Sequence, residues 1–361
     1  MKIVRDVVIV AYGRSPIGKA VRGTLATEHP SKLASEVLLG VLKKVEKLEV
    51  NMIDDIIVGA SMPEDVLGLN FARIMSQRSN IPDSVPAHTI TRFSASGLQS
   101  IILGANAIMA GENDVVVAGG IDYMSMLDID LASADPFVVE RADELLTMGR
   151  SSEVLANKMG YSREAIDEYA VKSHQKALRA QRQGAFNKEI IPVSYTDKDS
   201  KKKVFSQDEI ISSSISTKDL AKLSSPYASN GKVTEGNSST AADAVAFVVL
   251  MSARKARKLG IKPIAQYMGS LVTGEDPGAL NIGPIKSVSK LMERVKLNTR
   301  DLDVIEINEA YAPQAMFTTE KLGADPSKVN PRGGSIGLGN PRGATGTIMM
   351  CKALSYLEES K

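Results

Sequence analysis

The chain has 361 residues, 43% hydrophobic and 24% charged, with 44 Lys and Arg against 42 Asp and Glu. That length supports a sizeable core, and the near-neutral balance excludes an overall field that would draw nucleic acid. A single cysteine, Cys351, excludes an intramolecular disulfide and a multi-cysteine metal site, and the absence of Trp argues against a base-stacking platform. The N-terminus turns at once into a β-rich run with no leader-like apolar stretch, and no stretch approaches ~18 apolar residues, so neither secretion nor a membrane span is expected. A reducing, cytoplasmic location is expected.

In chain order, β-branched runs alternate with helical patterns: a strand at Val7 to Ala11, a helix from about Ser31 to Lys47, then strands at Asp55 to Gly59 and Val115 to Ala118. This alternation predicts parallel βαβ units and an α/β fold. Asp114 to Gly120 is apolar at consecutive positions, as a strand covered on both faces requires. Residues 121–235 change character, with a helical stretch from Ser162 to Gly184 and a polar segment from Asp197 to Ser216, and read as an inserted, solvent-facing domain. Strand patterning returns at Ala244 to Leu250, which is expected to rejoin the first sheet. The organisation that follows is a first half of 1–120 plus 236–260, an insert of 121–235 and a second half of 261–361.

The second half repeats features of the first. Ile53 to Val58 reads like Asp301 to Glu306, and both halves open an apolar helix at matched spacing, Ser96-Gly97 lying 41 residues beyond Asp55 and Thr345-Gly346 lying 42 beyond Asp303. The first half closes with the strand around Val115; the second reaches Lys361 with no counterpart. Two generic α/β units also match this well by chance, so the residues alone leave duplication and coincidence both open.

Six ordered segments resemble the thiolases, the enzymes that make or cleave β-ketoacyl-CoA. Arg14-Ser-Pro-Ile-Gly18 is similar to their opening Arg-Thr-Pro-x-Gly, and Arg92-Phe-Ser-Ala-Ser-Gly-Leu-Gln99 to the nucleophile segment Asn-Arg-x-Cys-x-Ser-Gly-Leu. Met148-Gly-Arg-Ser-Ser-Glu153 with Ser162-Arg-Glu and Ser173-His-Gln resembles the CoA-holding insert, and Val233 to Ser239 the segment beside pantetheine. Asn308-Glu-Ala-Tyr-Ala312 resembles Asn-Glu-Ala-Phe-Ala, and Gly333 to Gly346 the segment containing Gly-His-Pro. The resemblance implies a duplicated α/β/α/β/α layered fold with an inserted loop domain, no cofactor, a CoA thioester as substrate or ligand, and self-association as dimer or tetramer. It implies no metal site, nucleic acid or membrane.

Thiolase chemistry needs an acyl-accepting nucleophile, a base, an acid/base for the Claisen step and oxyanion donors. The nucleophile position is Ser94 where the family has cysteine, and the base position is Asn340 where it has histidine. A helix N-terminus lowers a thiol's pKa, but a serine hydroxyl still needs a base, and an amide takes no proton at neutral pH. Of the three histidines, none falls in a catalytic motif; His29 and His174 are expected to be structural or superficial, and His88, on the strand entering Ser94, is the one candidate substitute. Cys351 is expected to be a buried apolar thiol inside the last helix rather than the family's second cysteine. Carried over by resemblance, Asn308 fixes an oxyanion-hole water, and Met148, Ser239, Ala310 and Tyr311 line the acyl and pantetheine channel. Thr91 and Asp122-Tyr123 depart from the family's Asn and Glu-Ser.

The expectation is therefore a thiolase-like protein impaired in cysteine-dependent transfer yet able to bind acyl-CoA. Two alternatives stand beside it: an acyltransferase or hydrolase using Ser94, and a non-catalytic subunit whose missing strand is supplied by a hetero-partner. A loose glycine pattern at Gly337 to Gly343 is too close to the end of the sequence for a dinucleotide-binding unit.

Overall fold

The computed structural model describes residues 5–127, 136, 148–276 and 282–360. Its centre is a mixed sheet. Strands β1 (Val7–Arg14), β2 (Gly18–Lys19), β3 (Asp55–Ala60), β4 (Ala87–Ile90), β5 (Val115–Tyr123), β8 (Ala242–Ser252) and β9 (Ala265–Gln266) form it in the order β4-β3-β5-β8-β1-β9, with β2 beside β8. A separate hairpin joins β6 (Val193–Thr196) to β7 (Lys202–Phe205). β3 runs parallel to β4 and β5, as the βαβ pattern predicts, whereas β8 is antiparallel to both β5 and β1. The strand read at Ala244 to Leu250 thus rejoins the first sheet at its centre.

Side-chain alternation divides this sheet between two helical layers. In β8, Val245, Phe247, Val249 and Met251 face a core built on α1 (Pro30–Leu42) and α2 (Phe71–Arg78). Ala244, Ala246, Val248 and Leu250 face the other way, toward α3 (Ser96–Ala110) and the last helix, which runs from Arg342 to Glu359. Contrary to the expectation that no stretch approaches ~18 apolar residues, residues 93–110 are long and apolar enough by composition to cross a membrane; half of that window is buried, and α3 packs on the sheet.

The insert contributes α4 (Met148–Lys158), α5 (Arg163–Arg182) and the short α6 (Thr217–Leu220). It is less solvent-facing than its composition suggests: Ile166, Ala170, Ser173, Ala177 and Ala180 of α5 are buried. The small residues admit a neighbour, since a Cβ on Gly337 would lie 2.9 Å from the Ser173 carbonyl oxygen. Arg14, fully buried, pins the insert to β1 through Glu189 at 2.8 Å and both oxygens of Asp208 at 2.7 and 2.9 Å. Beyond β8 follow α7 (Ala253–Leu259), α8 (Gly283–Val295), α9 (Ala312–Lys321), α10 (Ser335–Leu338) and the Arg342–Glu359 helix, α11.

The two apolar helices predicted to correspond, α3 and α11, cross with reciprocal contacts. The Thr347 hydroxyl donates to the Gly97 carbonyl at 3.0 Å, and a Cβ on Gly346 would lie 2.6 Å from the Leu98 nitrogen. Matching Ser96-Gly97 to Thr345-Gly346 makes these the same contact seen from each side, as a pseudo-twofold relation between repeats requires. The repeats are unequal. Asp301 to Glu306, read as the counterpart of β3, is not a strand; Ile305 makes only an isolated bridge to Val329. An apolar run becomes a strand only where a lateral partner completes its ladder, and among the described residues this one has a single bridge.

Candidate active site

The site forms where α3 and α11 begin. A Cβ on Gly97 would lie 2.5 Å from the Gly343 carbonyl oxygen, and one on Gly120 of β5 would lie 2.2 Å from the same atom and 2.8 Å from the Gly97 Cα. Only glycine allows three backbones to meet this closely. Ser94 and Asn340 each stand three residues before a glycine of this junction, so the packing of the two repeats brings their turns together.

Ser94 sits on a strained turn. Phe93, immediately before it, adopts φ 44°, a left-handed conformation unfavourable for an aromatic residue, and is 65% exposed. Ser96 holds the turn: its hydroxyl accepts from the Arg92 nitrogen at 2.8 Å and lies 2.9 Å from the Ala60 and 2.5 Å from the Phe93 carbonyl oxygens. Thr91 donates to the Ser61 carbonyl at 2.9 Å. The half-buried Ser94 hydroxyl has no hydrogen-bond partner among the described residues.

Asn340 is fixed on every side. Its backbone nitrogen donates to Thr240 O at 2.8 Å, its Nδ2 to the Ser239 hydroxyl at 3.0 Å, and its Oδ1 accepts from the Thr345 hydroxyl at 2.8 Å. One N–H of the amide remains to serve a ligand oxygen. Ser239 in turn donates its backbone N–H to Ala310 O at 2.9 Å, and Ser238 bridges Tyr311. Tyr311 packs edge-on against Tyr227, centroids 6.2 Å apart, and the Tyr227 ring lies against Gly149, next to Met148 at the start of α4. Asn308 accepts from the Ser335 hydroxyl at 2.6 Å through Oδ1, leaving its Nδ2 to donate. Packing and hydrogen bonds therefore link Asn340, Ser239, Ala310 and Tyr311 into one wall with Met148 at its edge, and Ser94 stands on the α3 side of the junction.

The histidines are elsewhere. His29 caps α1, its Nδ1 accepting from the Ser31 nitrogen at 3.3 Å. His174 is buried in α5, where desolvation lowers its pKa, and its Nδ1 accepts from the Ser212 nitrogen at 3.4 Å. His88 lies 3.6 Å from Asp55, at the start of β3, whereas Ser94 follows the far end of β4. Cys351 lies within α11 as expected, fully buried, its thiol pushed up to about 12 chiefly by desolvation. A thiol buried this deeply and held neutral is a poor nucleophile.

Three further residues, to which the motifs assign no role, shape the site. Asp122, at the end of β5, accepts from Gly343 N at 2.8 Å and from the Ser61 hydroxyl and nitrogen, and burial pushes its pKa up to about 6. It caps the first turn of α11 from another element. Glu309, buried beside Asn308, accepts from Tyr169, Ser173, Asn330 and the Ile336 nitrogen, locking the Asn308 turn. Tyr227 supports Tyr311. Glu309 falls in a motif, and Asp122 stands out in the sequence only as a departure from the family's Glu; Tyr227 carries no local signal, and the partners of all three lie far along the chain.

The thiolase N-terminal domain profile matches residues 7–254 and the C-terminal domain profile residues 261–361. The 3-ketoacyl-CoA thiolase of Bacillus subtilis is 38% identical over 368 aligned residues, covering 99% of this chain and 93% of the relative. The mouse peroxisomal 3-ketoacyl-CoA thiolase A is 38% identical over 98% of this chain and 85% of its own. Among solved structures, the Bacillus anthracis acetyl-CoA acetyltransferase superposes with a TM-score of 0.92 at 34% identity, covering 100% of this chain and 94% of that one. Human mitochondrial 3-ketoacyl-CoA thiolase gives 0.90 at 31% identity, covering 99% and 94%. With both domain profiles matched and the fold shared along its length, this chain belongs to the thiolase family.

Proposed function

We propose that this protein binds an acyl-CoA thioester but does not carry out cysteine-dependent acyl transfer. The relatives named above are acyl-CoA thiolases and acetyltransferases, which supports the ligand class. The observation that carries the second half of the reading is the isolated Ser94 hydroxyl. No histidine reaches it, and Asn340 offers a donor where an acceptor of protons is needed. On this reading Ser94 marks the acyl-accepting position, the free N–H groups of Asn308 and Asn340 point at thioester oxygens or a held water, and Met148, Ser239, Ala310 and Tyr311 line the acyl and pantetheine path. The test is calorimetric titration with CoA and acetoacetyl-CoA, combined with intact-mass analysis after incubation with acetyl-CoA. Saturable binding with an unmodified mass is the expected outcome. A stable acetyl adduct on Ser94, or CoA release at enzymatic rates, would favour the alternative of a serine-dependent acyltransferase or hydrolase.

A second reading, a non-catalytic subunit completed by a partner strand, is favoured by the second half's open face. α8 carries Ile285, Val288, Leu291, Met292 and Val295 on one side, yet none of its residues is fully buried. In the segment it overlies, Met268 is 66% and Val272 47% exposed. Self-association through the first half is also part of the proposal: β4 is an edge strand, and Leu69 is 93% exposed next to Asn70, which donates to Ala87 of β4 at 3.0 Å. Sedimentation of the purified protein distinguishes these readings. A homodimer supports self-association, and a stable monodisperse monomer counts against both.

A further inference from the structure

At the opposite end of α11 from its junction with α3, a cleft of ≈ 510 Å³ opens between the C-terminal halves of α5 and α11 and the loop before Gly333. Lys176 and Arg179 enter it from one stripe of α5 and Gln183 from its C-cap, Tyr356 and Glu359 from α11, and Arg332 from the loop. Three cations therefore face one carboxylate. Glu359 is paired with Arg332, whose guanidinium also donates to Ser355 at 2.7 Å and to Ala185 O at 3.1 Å and stacks 5.3 Å from the Tyr356 ring centroid. Lys176 donates to the carbonyl oxygens of Val329 at 2.9 Å and Pro326 at 3.5 Å, and neither it nor Arg179 has an acidic partner among the described residues.

This arrangement leaves positive charge without acidic partners in contact with it. Like charges at i and i+3 on one helix face repel, and burial lowers the Lys176 ammonium's pKa, with Arg179 and Lys352 adding to it against the attraction of the more distant Glu309 and Glu306 carboxylates. The dipole of α5 accounts for Arg179 and Arg182 in its last turn but not for Lys176 a turn earlier, nor for Arg332 opposite. An anion between the helices would offset both costs, and the free edge of the Arg179 guanidinium with the neutral donors Gln183 and Tyr356 suits phosphoryl oxygens. We propose that this cleft binds the phosphoryl group of a small phosphorylated molecule, at a site separate from the acyl-CoA cleft.

Inorganic pyrophosphate is the probe, titrated calorimetrically into the full-length protein at low ionic strength. Saturable binding of one equivalent is expected, undisturbed by saturating CoA, and Arg179→Glu is expected to weaken it by about tenfold or more. Arg182→Glu makes the same change of net charge on the same helix turn outside the cleft, and should leave affinity within about twofold. Both residues are exposed, so both variants are expected to fold, with circular dichroism as the check. The proposal is overturned by absence of saturable binding, by equal losses in the two variants, or by displacement of pyrophosphate on adding CoA.

Discussion

The side-chain oxygen of Asn340 accepts the Thr345 hydroxyl at 2.8 Å, tying the residue at the family's base position to the first turn of α11. The amide is thereby oriented with one N–H on Ser239 and the other free. Thr345→Val keeps the shape of a buried side chain and removes the donor, leaving Oδ1 unpaired. A loss of about 1–3 kcal/mol in urea unfolding is expected. CoA affinity should fall with it, because the amide is then free to turn its oxygen toward the ligand. Unchanged stability in the variant would mean that the Asn340 orientation is set elsewhere.

The glycine junction predicts a sharper effect on folding. A Cβ on Gly97 would lie 2.5 Å from a backbone oxygen and 2.6 Å from the Thr347 hydroxyl, so Gly97→Ala forces α3 and α11 apart. The expected destabilisation is about 1–3 kcal/mol by chemical denaturation. At Gly274 a Cβ meets nothing within 4 Å and φ is ordinary, so Gly274→Ala should be neutral or slightly stabilising. Similar costs at the two positions would show that helix contact is not what Gly97 serves.

Stability should also respond to two buried carboxyls. Asp122 and Asp243 both have pKa values raised to about 6, first by desolvation, against an ordinary value of 3.8. The folded state therefore binds these protons more tightly than the unfolded state. Their contribution is fully present below about pH 4 and is lost as pH rises through about 6. Asp243, which accepts from the Ser125 nitrogen at 2.9 Å, is the cleaner test. The melting temperature of the native protein minus that of Asp243→Asn should fall between about pH 4 and 6.5 and level off above. A difference independent of pH would place the Asp243 pKa near its ordinary value.

How much was legible beforehand follows from how far apart in sequence the interacting groups lie. Ser94 and Asn340 could be read because each sits inside a motif with its neighbours, and the 41- and 42-residue spacings located the two helices that cross. Asp122 stands out as a departure from the family's Glu, but its role is not legible there, because it is a hydrogen bond to Gly343, 221 residues away. His88 was on the expected strand, yet its approach to Asp55 depends on the parallel register of β3 and β4, which no local pattern encodes. The insert's hydrophilic composition concealed a buried face because Ala170, Ser173 and Ala177 are chosen for close approach rather than for hydrophobicity. Asp301 to Glu306 had the composition of a strand but, with one bridge, not the partners of one.

The reading of the site can be put to its strongest test by restoring the missing groups. Ser94→Cys alone places a thiol before the N-terminus of α3, where the helix dipole favours the thiolate, but leaves Asn340 unable to take its proton. Asn340→His alone supplies an imidazole that Thr345 and Ser239 are positioned to orient, but leaves a hydroxyl that is harder to ionise. The double variant should acylate from acetyl-CoA about 10²–10⁴ times faster than Ser94→Cys, the usual contribution of a positioned base. The measurement is the rate at which one acetyl group appears in the intact mass, located to position 94 by peptide mapping. If the double variant is no faster than Ser94→Cys, the turns of α3 and α11 do not hold positions 94 and 340 within proton-transfer reach. The native pair would then be inert for a geometric reason rather than for want of a thiol and a base.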